Sequence, residues 1–383
     1  MRRSRMACLI GAVCALAGIA SAVEPQGYDA HQTVTFSGYT GTETLVNFPV
    51  LLRLPVTCFR QADYSDLAVI DGEGNLLAYD VDSVSDGKVL VWVRVPALTG
   101  TTTAVTAYIG KAAADVPAYT AADVWQGSYA AVWHLSYNNP VDATGHELEQ
   151  TAFDATTLAA VGEAPLGNAL RLNASTTAVV WLATPKAVFI DQYISNYEKL
   201  TVSGWLMPSR SVPTKASRLF CWKADSAGAG FDTFQNTDGK LYIRGGDKTT
   251  TCKTTAAMGW TANEWHHLAA CFDGTSAAAY LDGAALATEG SIRAVTVGDG
   301  ANSAYFGYGN MAGYANLGKA QDFQFPFANG TVDELRIYNG VASADWIKAE
   351  YDTVMMTGFA AYGPLVMTSE GEQQDGTWIW VRF

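Results

Sequence analysis

Apolar and polar residues alternate with a period of two along much of this chain, between clusters of turn-forming residues. The apolar positions of two such stretches are Phe48, Val50, Leu52 and Leu54, and Val89, Val91, Val93 and Val95. Residues 71–75, DGEGN, separate two apolar stretches and are typical of a turn. Because successive side chains of a strand point to opposite faces, this pattern predicts antiparallel sheets with one face in a core.

The chain has 383 residues, more than one compact sandwich needs and enough for two domains. Strand patterns resume after an alanine-rich connection at residues 111–127. We therefore predict an all-β fold of two β-sandwich modules. The predicted divisions are a signal peptide at 1–22, a first sandwich at 28–118, a larger sandwich at 126–357 and a C-terminal tail or strand at 358–383. One short helix is predicted at residues 343–351, with Ser343 as its cap.

The predicted signal peptide has three parts. Arg2, Arg3 and Arg5 form a basic start, residues 6–20 carry no charge, and residues 20–22, ASA, have the pattern of a cleavage site. The uncharged run is shorter than the roughly 20 residues of a spanning helix. We therefore expect an exported protein, extracellular, at the cell surface or periplasmic, whose mature chain does not insert into a membrane.

The charge of the chain argues against a nucleic-acid partner. The formal net charge is -13, and it becomes -16 without the three arginines of the leader. Such a chain repels phosphate backbones and anionic lipid. Four cysteines follow the leader, and their spacing leaves open whether Cys58, Cys221, Cys252 and Cys271 form disulfides or free thiols.

Two segments resemble known families. Residues 32–112, with TFSGYTGTETLVNFPVLLRL and VLVWVRVPAL, resemble a bacterial exported domain of unknown function that often precedes LamG-like modules. Residues 130–357, with AVWHLSYNNPVDATG, VSGWLMPS, WHHLAACFDGTSAAAYLDGAAL and GTVDELRIYNG, resemble the LamG-like, concanavalin A-like jelly roll. The second resemblance implies two stacked antiparallel sheets and a role in recognition or adhesion. It does not imply catalysis, because this fold includes both lectins and glycosidases.

Candidate carboxylate pairs for glycoside hydrolysis do not converge on one site, so we predict no catalytic residues. The pairs at alternate positions are Asp71/Glu73, Asp80/Asp82, Glu147/Glu149 and Glu370/Glu372. Asp80 and Asp82 belong to the first module, where the sequence indicates no cleft. Asp333 and Glu334 are adjacent, so we expect them to face opposite sides of a sheet. His266 and His267 are expected to pack and to form hydrogen bonds within a strand.

Calcium is the cofactor that the jelly-roll resemblance implies. LamG-like modules often hold one structural calcium ion through loop oxygens, and the matching positions here are Asp142 and Asp333. We expect an ion at this pair to staple terminal strands.

Glycan binding requires aromatic rings that stack on sugars and polar groups that bind hydroxyls. Residues 305–314 are the richest such segment, and Trp222, Tyr242 and Trp260 could extend it. The predicted ligand-binding residues are Tyr305, Tyr308, Asn310, Tyr314 and Trp222.

The sequence supports three functional hypotheses. The first is a noncatalytic binding module for a polysaccharide or a cell-envelope partner. The second is a structural or assembly protein of the envelope that presents surfaces to other proteins. The third is a divergent glycoside hydrolase, which would need a carboxylate pair in a cleft.

Overall fold

The computed structural model describes residues 24–100, 102–113, 115, 118–135, 141–146, 152–153, 158–172, 180–181, 199–214, 216–223, 230–245, 250–292, 304–305 and 330–368. Antiparallel strands dominate this part of the chain, which confirms the predicted all-β class. No helix in it is long and apolar enough to cross a membrane. The predicted signal peptide and the predicted final strand at 377–383 lie outside the described residues.

Residues 28–125 form six strands and a short helix. These are β1 (Tyr28–Thr35), β2 (Leu45–Pro55), β3 (Leu67–Asp71), β4 (Tyr79–Ser85), β5 (Lys88–Leu98), β6 (Ala104–Lys111) and helix α1 (Ala122–Trp125), with a 3-10 turn at Val56–Cys58.

The larger module follows. Its strands are β7 (Tyr129–Trp133), β8 (Ala152–Phe153), β9 (Leu158–Ala164), β10 (Gly167–Leu172), β11 (Val180–Trp181), β12 (Leu200–Met207), β13 (Ser217–Lys223), β14 (Gly230–Gln235), β15 (Leu241–Gly245), β16 (Cys252–Thr254), β17 (His266–Phe272), β18 (Ala277–Leu281), β19 (Ala284–Leu286), β20 (Thr288–Gly290), β21 (Ala304–Tyr305) and β22 (Thr331–Tyr338). Helix α2 (Ala344–Met355) and strands β23 (Ala361–Tyr362) and β24 (Val366–Met367) complete the described chain.

These strands form four main sheets, which we number I to IV. Sheet I has the order β23-β1-β6-β3, with β24 also on β1, and sheet II has the order β2-β5-β4. Sheet III has the order β19-β18-β17-β12-β22-β10-β9, with β7 also on β22, and sheet IV has the order β20-β16-β15-β14-β13-β21. Strands β8 and β11 form a separate pair.

Sheets I and II enclose the first apolar core. The alternating residues of β2 and β5 identified in the sequence are all buried in it, as predicted. The other face of sheet II is buried too: Leu51 is 1% exposed and Trp92 is fully buried. A sheet that is buried on both faces must be covered by a further layer.

Sheets III and IV enclose the second core, in the manner of a jelly roll. Sheet III contributes Leu268, Ala270, Phe272, Val332, Leu335 and Ile337, and sheet IV contributes Leu219, Phe220, Leu241 and Ile243. All ten of these side chains are buried, and the polar residues Thr233 and Gln235, which lie opposite Ile243 and Leu241, are buried with them and are uncharged.

The outer face of sheet III is the layer that covers sheet II. Trp205, Ala269 and Cys271 of sheet III belong to the same apolar cluster as Trp92 of sheet II. Helix α2 packs against β2, the edge strand of sheet II, where the Trp346 ring lies edge-on to Phe48 with ring centroids 4.9 Å apart. We call the space between sheets II and III the junction.

Helix α2 begins where the sequence predicted and ends four residues later. Ser343 accepts a hydrogen bond at Oγ from the Trp346 amide, 3.1 Å away, which satisfies one of the free N–H groups of the first turn. Near the other end of the helix, Thr353 accepts a hydrogen bond at Oγ1 from the Leu51 amide of β2, at 2.9 Å. The helix is thus tied to sheet II as well as to sheet III.

The chain after α2 returns to the first module. Val34 lies opposite Tyr362 and Ala30 opposite Met367, so β23 and β24 extend sheet I along β1. Three of the cysteines, Cys58, Cys252 and Cys271, are free thiols in the described structure.

Candidate functional site

Strand β22 carries a bulge that changes which residues face the junction. Opposite β12, Ser203 pairs with Arg336 but Trp205 pairs with Asp333, so β22 has one extra residue there. Glu334 takes a left-handed backbone conformation, with φ at 48°. Gly204 lies opposite the bulge, and a Cβ there would come within 2.5 Å of Leu335 Cδ2. A glycine inside a strand is a known companion of bulges.

The bulge makes one sequence-based prediction wrong. Val332 and Leu335 point into the apolar core between sheets III and IV. Both residues between them, Asp333 and Glu334, therefore face away from that core and towards the junction. We expected these adjacent acids on opposite faces, but a bulged residue breaks the alternation on which that expectation rested.

His134 links the two modules at the centre of the junction. It follows β7, and its Nε2 lies 2.9 Å from Oδ2 of Asp80 on β4 of sheet II. The Trp125 indole donates to the same Asp80 oxygen at 2.8 Å. On the other side of the ring, Nδ1 of His134 contacts Oε1 of Glu334. The imidazole is therefore held between carboxylates from two different sheets.

Arg336 is the second cationic group of the junction and is 4% exposed. It donates to Oε2 of Glu334 from Nε at 3.1 Å and from Nη2 at 2.7 Å. Its guanidinium lies over the Trp92 ring, 4.3 Å from the centroid, which adds a cation–π contact from sheet II. Glu350 of α2, 3.8 Å from Nη1 of Arg336, accepts a hydrogen bond of 2.8 Å from the Tyr129 hydroxyl.

Burial and neighbouring charges shift the pKa values of these groups in opposite directions. Burial alone would raise the pKa of Asp80 and of Glu334, but His134, joined at Glu334 by Arg336, outweighs it and lowers both. Burial likewise opposes the imidazolium of His134, yet the surrounding carboxylates raise its pKa well above the usual value. These shifts favour a charged His134 between two ionised acids.

Asp333 differs from the other acids of the junction. It is fully buried, and its Oδ1 accepts a hydrogen bond of 3.0 Å from the Glu334 amide. Its Oδ2 has no hydrogen-bond partner. Burial and then the charges of Glu334 and Asp82 raise the pKa of this carboxyl well above its usual range. An unpartnered buried carboxylate oxygen is costly and calls for a proton or a cation.

Sequence reasoning missed most of this site. It considered Asp80 and Asp82 but saw no cleft in the first module, and it did not single out His134, Arg336 or Glu350. One signal was available: Gly204 interrupts an otherwise regular strand opposite the Asp333–Glu334 pair, which indicates a bulge. That sheet II covers these residues follows only from the arrangement of the modules.

The two residues of the predicted calcium pair, Asp142 and Asp333, differ in how far their carboxylate oxygens are already hydrogen-bonded. Asp142 accepts at Oδ1 from the Val132 and Thr144 amides and at Oδ2 from the Thr144 hydroxyl at 2.5 Å, so its carboxylate closes a turn. It bridges to Trp133, which lies opposite Leu335, so Asp142 is two strand spacings from β22, roughly 10 Å. Asp142 fits a calcium ion poorly, whereas Asp333 offers a free oxygen. Binding of calcium by the pair stays a prediction.

Two of the predicted glycan-binding residues lie on neighbouring strands at one edge of sheet IV. Trp222 belongs to β13 and Tyr305 to β21, where Cys221 lies opposite Tyr305 and Trp222 opposite Ala304. Tyr308, Asn310 and Tyr314 lie outside the described residues. Trp260 is not available for a ligand, because it is 3% exposed and its indole donates to the Ser211 carbonyl at 3.0 Å.

The outer face of sheet IV carries a cluster of aromatic and cationic side chains. The rings of Phe234 and Tyr242 stack with centroids 5.2 Å apart. Arg244 lies over Phe234 at 4.5 Å, and Lys253 lies 5.8 Å from the Tyr242 centroid. Tyr242 is half-buried, and its hydroxyl donates to Asp238 at 3.0 Å. We call these four side chains the aromatic face.

None of the remaining carboxylate pairs forms a catalytic site in the part of the chain that the structure describes. Asp71 accepts at Oδ1 from the amides of Glu73 and Asn75, so it closes the turn that the sequence indicated. Glu147/Glu149 and Glu370/Glu372 lie outside the described residues. His266 contacts Asp282 at 2.7 Å, and burial and then Arg336 lower the pKa of His267 to about 3.

Comparisons with known proteins bear on the second module. Residues 182–348 match the family model described as the concanavalin A-like lectin/glucanases superfamily. None of the curated proteins matches the sequence.

Several solved structures are similar at low identity. Domain 4 of AbnA, an extracellular arabinanase from Geobacillus stearothermophilus solved with arabinotriose, has 18% identity and a TM-score of 0.42, with 59% of this chain and 98% of that chain covered. The binding domain of Paraclostridial Mosquitocidal Protein 1 has 13% identity and a TM-score of 0.42, over 59% and 52% of the two chains. Trypanosoma rangeli sialidase in complex with sialic acid has 14% identity and a TM-score of 0.41, over 76% and 44%.

This chain thus spans about half of the second and third of these structures, and all three are too distant to bear on a ligand. The family match and the two facing antiparallel sheets III and IV agree with each other. The larger module of this chain is therefore a concanavalin A-like domain.

Proposed function

We propose that this chain is an exported, noncatalytic binding protein whose concanavalin A-like domain recognises a polysaccharide. The observation that carries the proposal is the aromatic face of sheet IV. Tyr242 is stacked on Phe234 and half-buried, so its ring is held in one orientation. A fixed aromatic ring offers a sugar an apolar surface at little cost in conformational entropy.

Polar groups beside the ring would supply hydrogen bonds to sugar hydroxyls. Lys253 is half-buried next to Tyr242 and also lies 3.5 Å from Glu289. Tyr305 lies in register with Arg244 through Cys221 and Asp232, which supports a binding surface that extends towards the β21 edge. Trp222 is one position out of that register and does not support it. The leader of residues 1–22 supports export.

A noncatalytic role is supported by where the clustered carboxylates lie. Asp80, Asp333 and Glu334 are between 0% and 7% exposed. They are enclosed between sheets II and III, where Asp80 and Glu334 bind His134 and Glu334 also binds Arg336. A glycosidase carboxylate must instead reach the scissile bond of a sugar in a cleft.

The test is binding of the full mature chain to a broad glycan array in calcium buffer, followed by titration of any bound glycan. Tyr242→Ala should weaken the affinity about 3- to 10-fold, as expected for loss of one stacked ring. Tyr119→Ala changes an exposed tyrosine of the first module and serves as the matched control. Binding that Tyr242→Ala leaves intact would remove the aromatic face from the proposal.

One observation favours the assembly role as a second candidate. At the edge of sheet I, Leu365, Val366 and Met367 are 38%, 44% and 63% exposed in the described structure. Exposed apolar strand edges pair readily with other chains. Absence of binding to any glycan, together with partner capture that Val366→Lys abolishes, would favour this role.

A further inference from the structure

We propose that the junction binds one divalent transition-metal ion, Zn²⁺ by preference, through Asp82, His134 and Glu334. One ligand atom from each of these three side chains lies within 4.8 Å of those of the other two. Ligand atoms around tetrahedral zinc are roughly 3.5 Å apart, given bonds of about 2.1 Å. An ion there would replace the hydrogen bond between Nδ1 of His134 and Oε1 of Glu334, so these two atoms would move apart to about 3.5 Å.

A second observation points to the same place. Oδ2 of Asp333, a residue with no exposed surface, has no hydrogen-bond partner. The bulge at Glu334 turns Asp333 to the junction side of sheet III, the side of Glu334 itself. A cation held by Asp82, His134 and Glu334 would lie on this same side of sheet III and would offset part of the cost of burying the Asp333 carboxyl.

The surrounding hydrogen bonds resemble the outer shell of a metal site. Metal-binding histidines commonly donate their other ring N–H to a carboxylate, which fixes the tautomer and the ring orientation. Here Nε2 of His134 faces Asp80 at 2.9 Å, and Trp125 fixes the same Asp80 oxygen. Nδ1 is then the ligand atom, on the side of Glu334. Arg336 holds the other oxygen of Glu334 in turn.

The ligand types favour zinc over calcium. An imidazole nitrogen with two carboxylates suits Zn²⁺, whereas Ca²⁺ takes six to eight oxygen ligands. The site is separate from the predicted calcium pair, since it uses Asp82 of sheet II and leaves Asp142 out. A metal ion held by sheets II and III together would stabilise the contact between the two modules.

The test uses the full mature chain without a histidine tag, stripped with a chelator and titrated with ZnCl₂ alone. We expect one Zn²⁺ per chain by calorimetry and by metal analysis, and a higher melting temperature with zinc than with chelator. Asp82→Asn should weaken zinc binding by more than the 10- to 100-fold typical of losing an outer-shell partner. Asp86→Asn, at an exposed turn beyond the end of the same strand, is the matched control and should bind like the wild type.

Two results would overturn the proposal. One is no stoichiometric zinc binding by the wild type, and the other is unchanged binding by Asp82→Asn. If Asp82→Asn unfolds, His134→Gln replaces it, and a cooperative thermal unfolding transition of the variant in chelator shows that the variant is folded. Titration with CaCl₂ alone forms a separate arm: tighter binding of Ca²⁺ than of Zn²⁺ at a site lost in Asp82→Asn would also contradict the zinc assignment. None of these readouts depends on glycan binding.

Discussion

The two faces of sheet III are both buried, yet they differ in chemistry. The face towards sheet IV is packed with Leu268, Phe272 and Leu335, against a mainly apolar side of sheet IV. The face towards sheet II carries Glu334, Arg336 and, from the adjoining turn, His134, joined by hydrogen bonds and ion pairs. One strand, β22, supplies residues to both. Burial alone therefore does not decide whether a side chain of β22 is polar or apolar. That depends on which sheet, II or IV, covers the face on which the side chain lies.

This difference shows how the two modules are held in a fixed arrangement. Apolar packing between sheets III and IV holds the jelly roll together by area and is not directional. The junction instead uses charged groups that are costly to bury unless each finds its partner, so it accepts one arrangement of the modules. Variants on the two faces of sheet III, and at the centre and the rim of the junction, should therefore differ in their free energies of unfolding.

The largest effect is expected for Arg336→Met. This change keeps the apolar stem but leaves Glu350 without its cation and Glu334 with His134 alone, and breaking a buried pair costs about 3–5 kcal/mol. Denaturant unfolding of the full chain measures it. Arg60→Met, which breaks the exposed pair with Asp29, is the control and should cost no more than about 1 kcal/mol. If Arg336→Met and Arg60→Met lower the free energy of unfolding by similar amounts, the charges of the junction are exposed to water.

Leu335→Ala tests the apolar face of the same strand. Leu335 is fully buried, and removal of a buried leucine side chain costs about 2–5 kcal/mol through lost burial and a cavity. Leu76→Ala, at 45% exposure, should change the unfolding free energy by less than about 1 kcal/mol. Because no charge is involved, the cost of Leu335→Ala should not vary with salt. A strong salt dependence would contradict the contrast between the faces.

His267 gives the junction a pH dependence of known sign. Burial and then Arg336 lower the pKa of His267 to about 3, against about 6.5 in an unfolded chain. Although Nε2 lies 3.7 Å from Glu350, Arg336 already approaches that carboxylate, so we treat the imidazole as neutral. The unfolded state then binds the extra proton, and stability present above pH 6.5 is lost as the pH falls towards 3.

Between pH 6.5 and pH 5 this loss should amount to about 2 kcal/mol in the wild type. His267→Gln removes the titrating group, so the unfolding free energy of the variant should fall less over that interval. Parallel pH profiles of variant and wild type would show that His267 is not buried as a neutral group.

The smallest effect is expected at the rim of the junction. Asp345, in the first turn of α2, accepts hydrogen bonds from the amides of Thr42 and Glu43, at 2.6 and 2.9 Å. Asp345→Asn keeps an acceptor but removes the charge, so it should cost up to about 1 kcal/mol by chemical denaturation. Asp86→Asn is the control for loss of an exposed charge. If Asp345→Asn lowers the free energy of unfolding by nearly as much as Arg336→Met, the rim stabilises the protein as much as the centre of the junction does.

The contrast also explains what the sequence could and could not predict. The apolar faces of β2 and β5 and the cap at Ser343 follow from local patterns, and all are present. The burial of Leu51 and Trp92 is not local, because alternation alone would place both on a solvent-facing side. Their cover comes from α2 and sheet III, far away in sequence.

The site residues were harder to predict for the same reason. The pairing of His134 with Asp80 joins residues 54 positions apart and depends on how the modules pack. The alternation rule failed at Glu334 because the bulge adds a residue to β22 there. Tyr242 was identified as a candidate from its residue type alone, and its stacking on Phe234 could not be read from spacing.

The most direct test of the account is a double-mutant cycle between the modules. Asp80 lies on sheet II, and His134 follows β7 of the jelly roll. The variants Asp80→Asn and His134→Asn and their combination are unfolded with denaturant in the presence of chelator. We predict a coupling free energy of about 1–3 kcal/mol, since the two side chains share a buried, charge-assisted hydrogen bond. Additive effects, within about 0.5 kcal/mol, would contradict a junction in which these groups hold the two modules together.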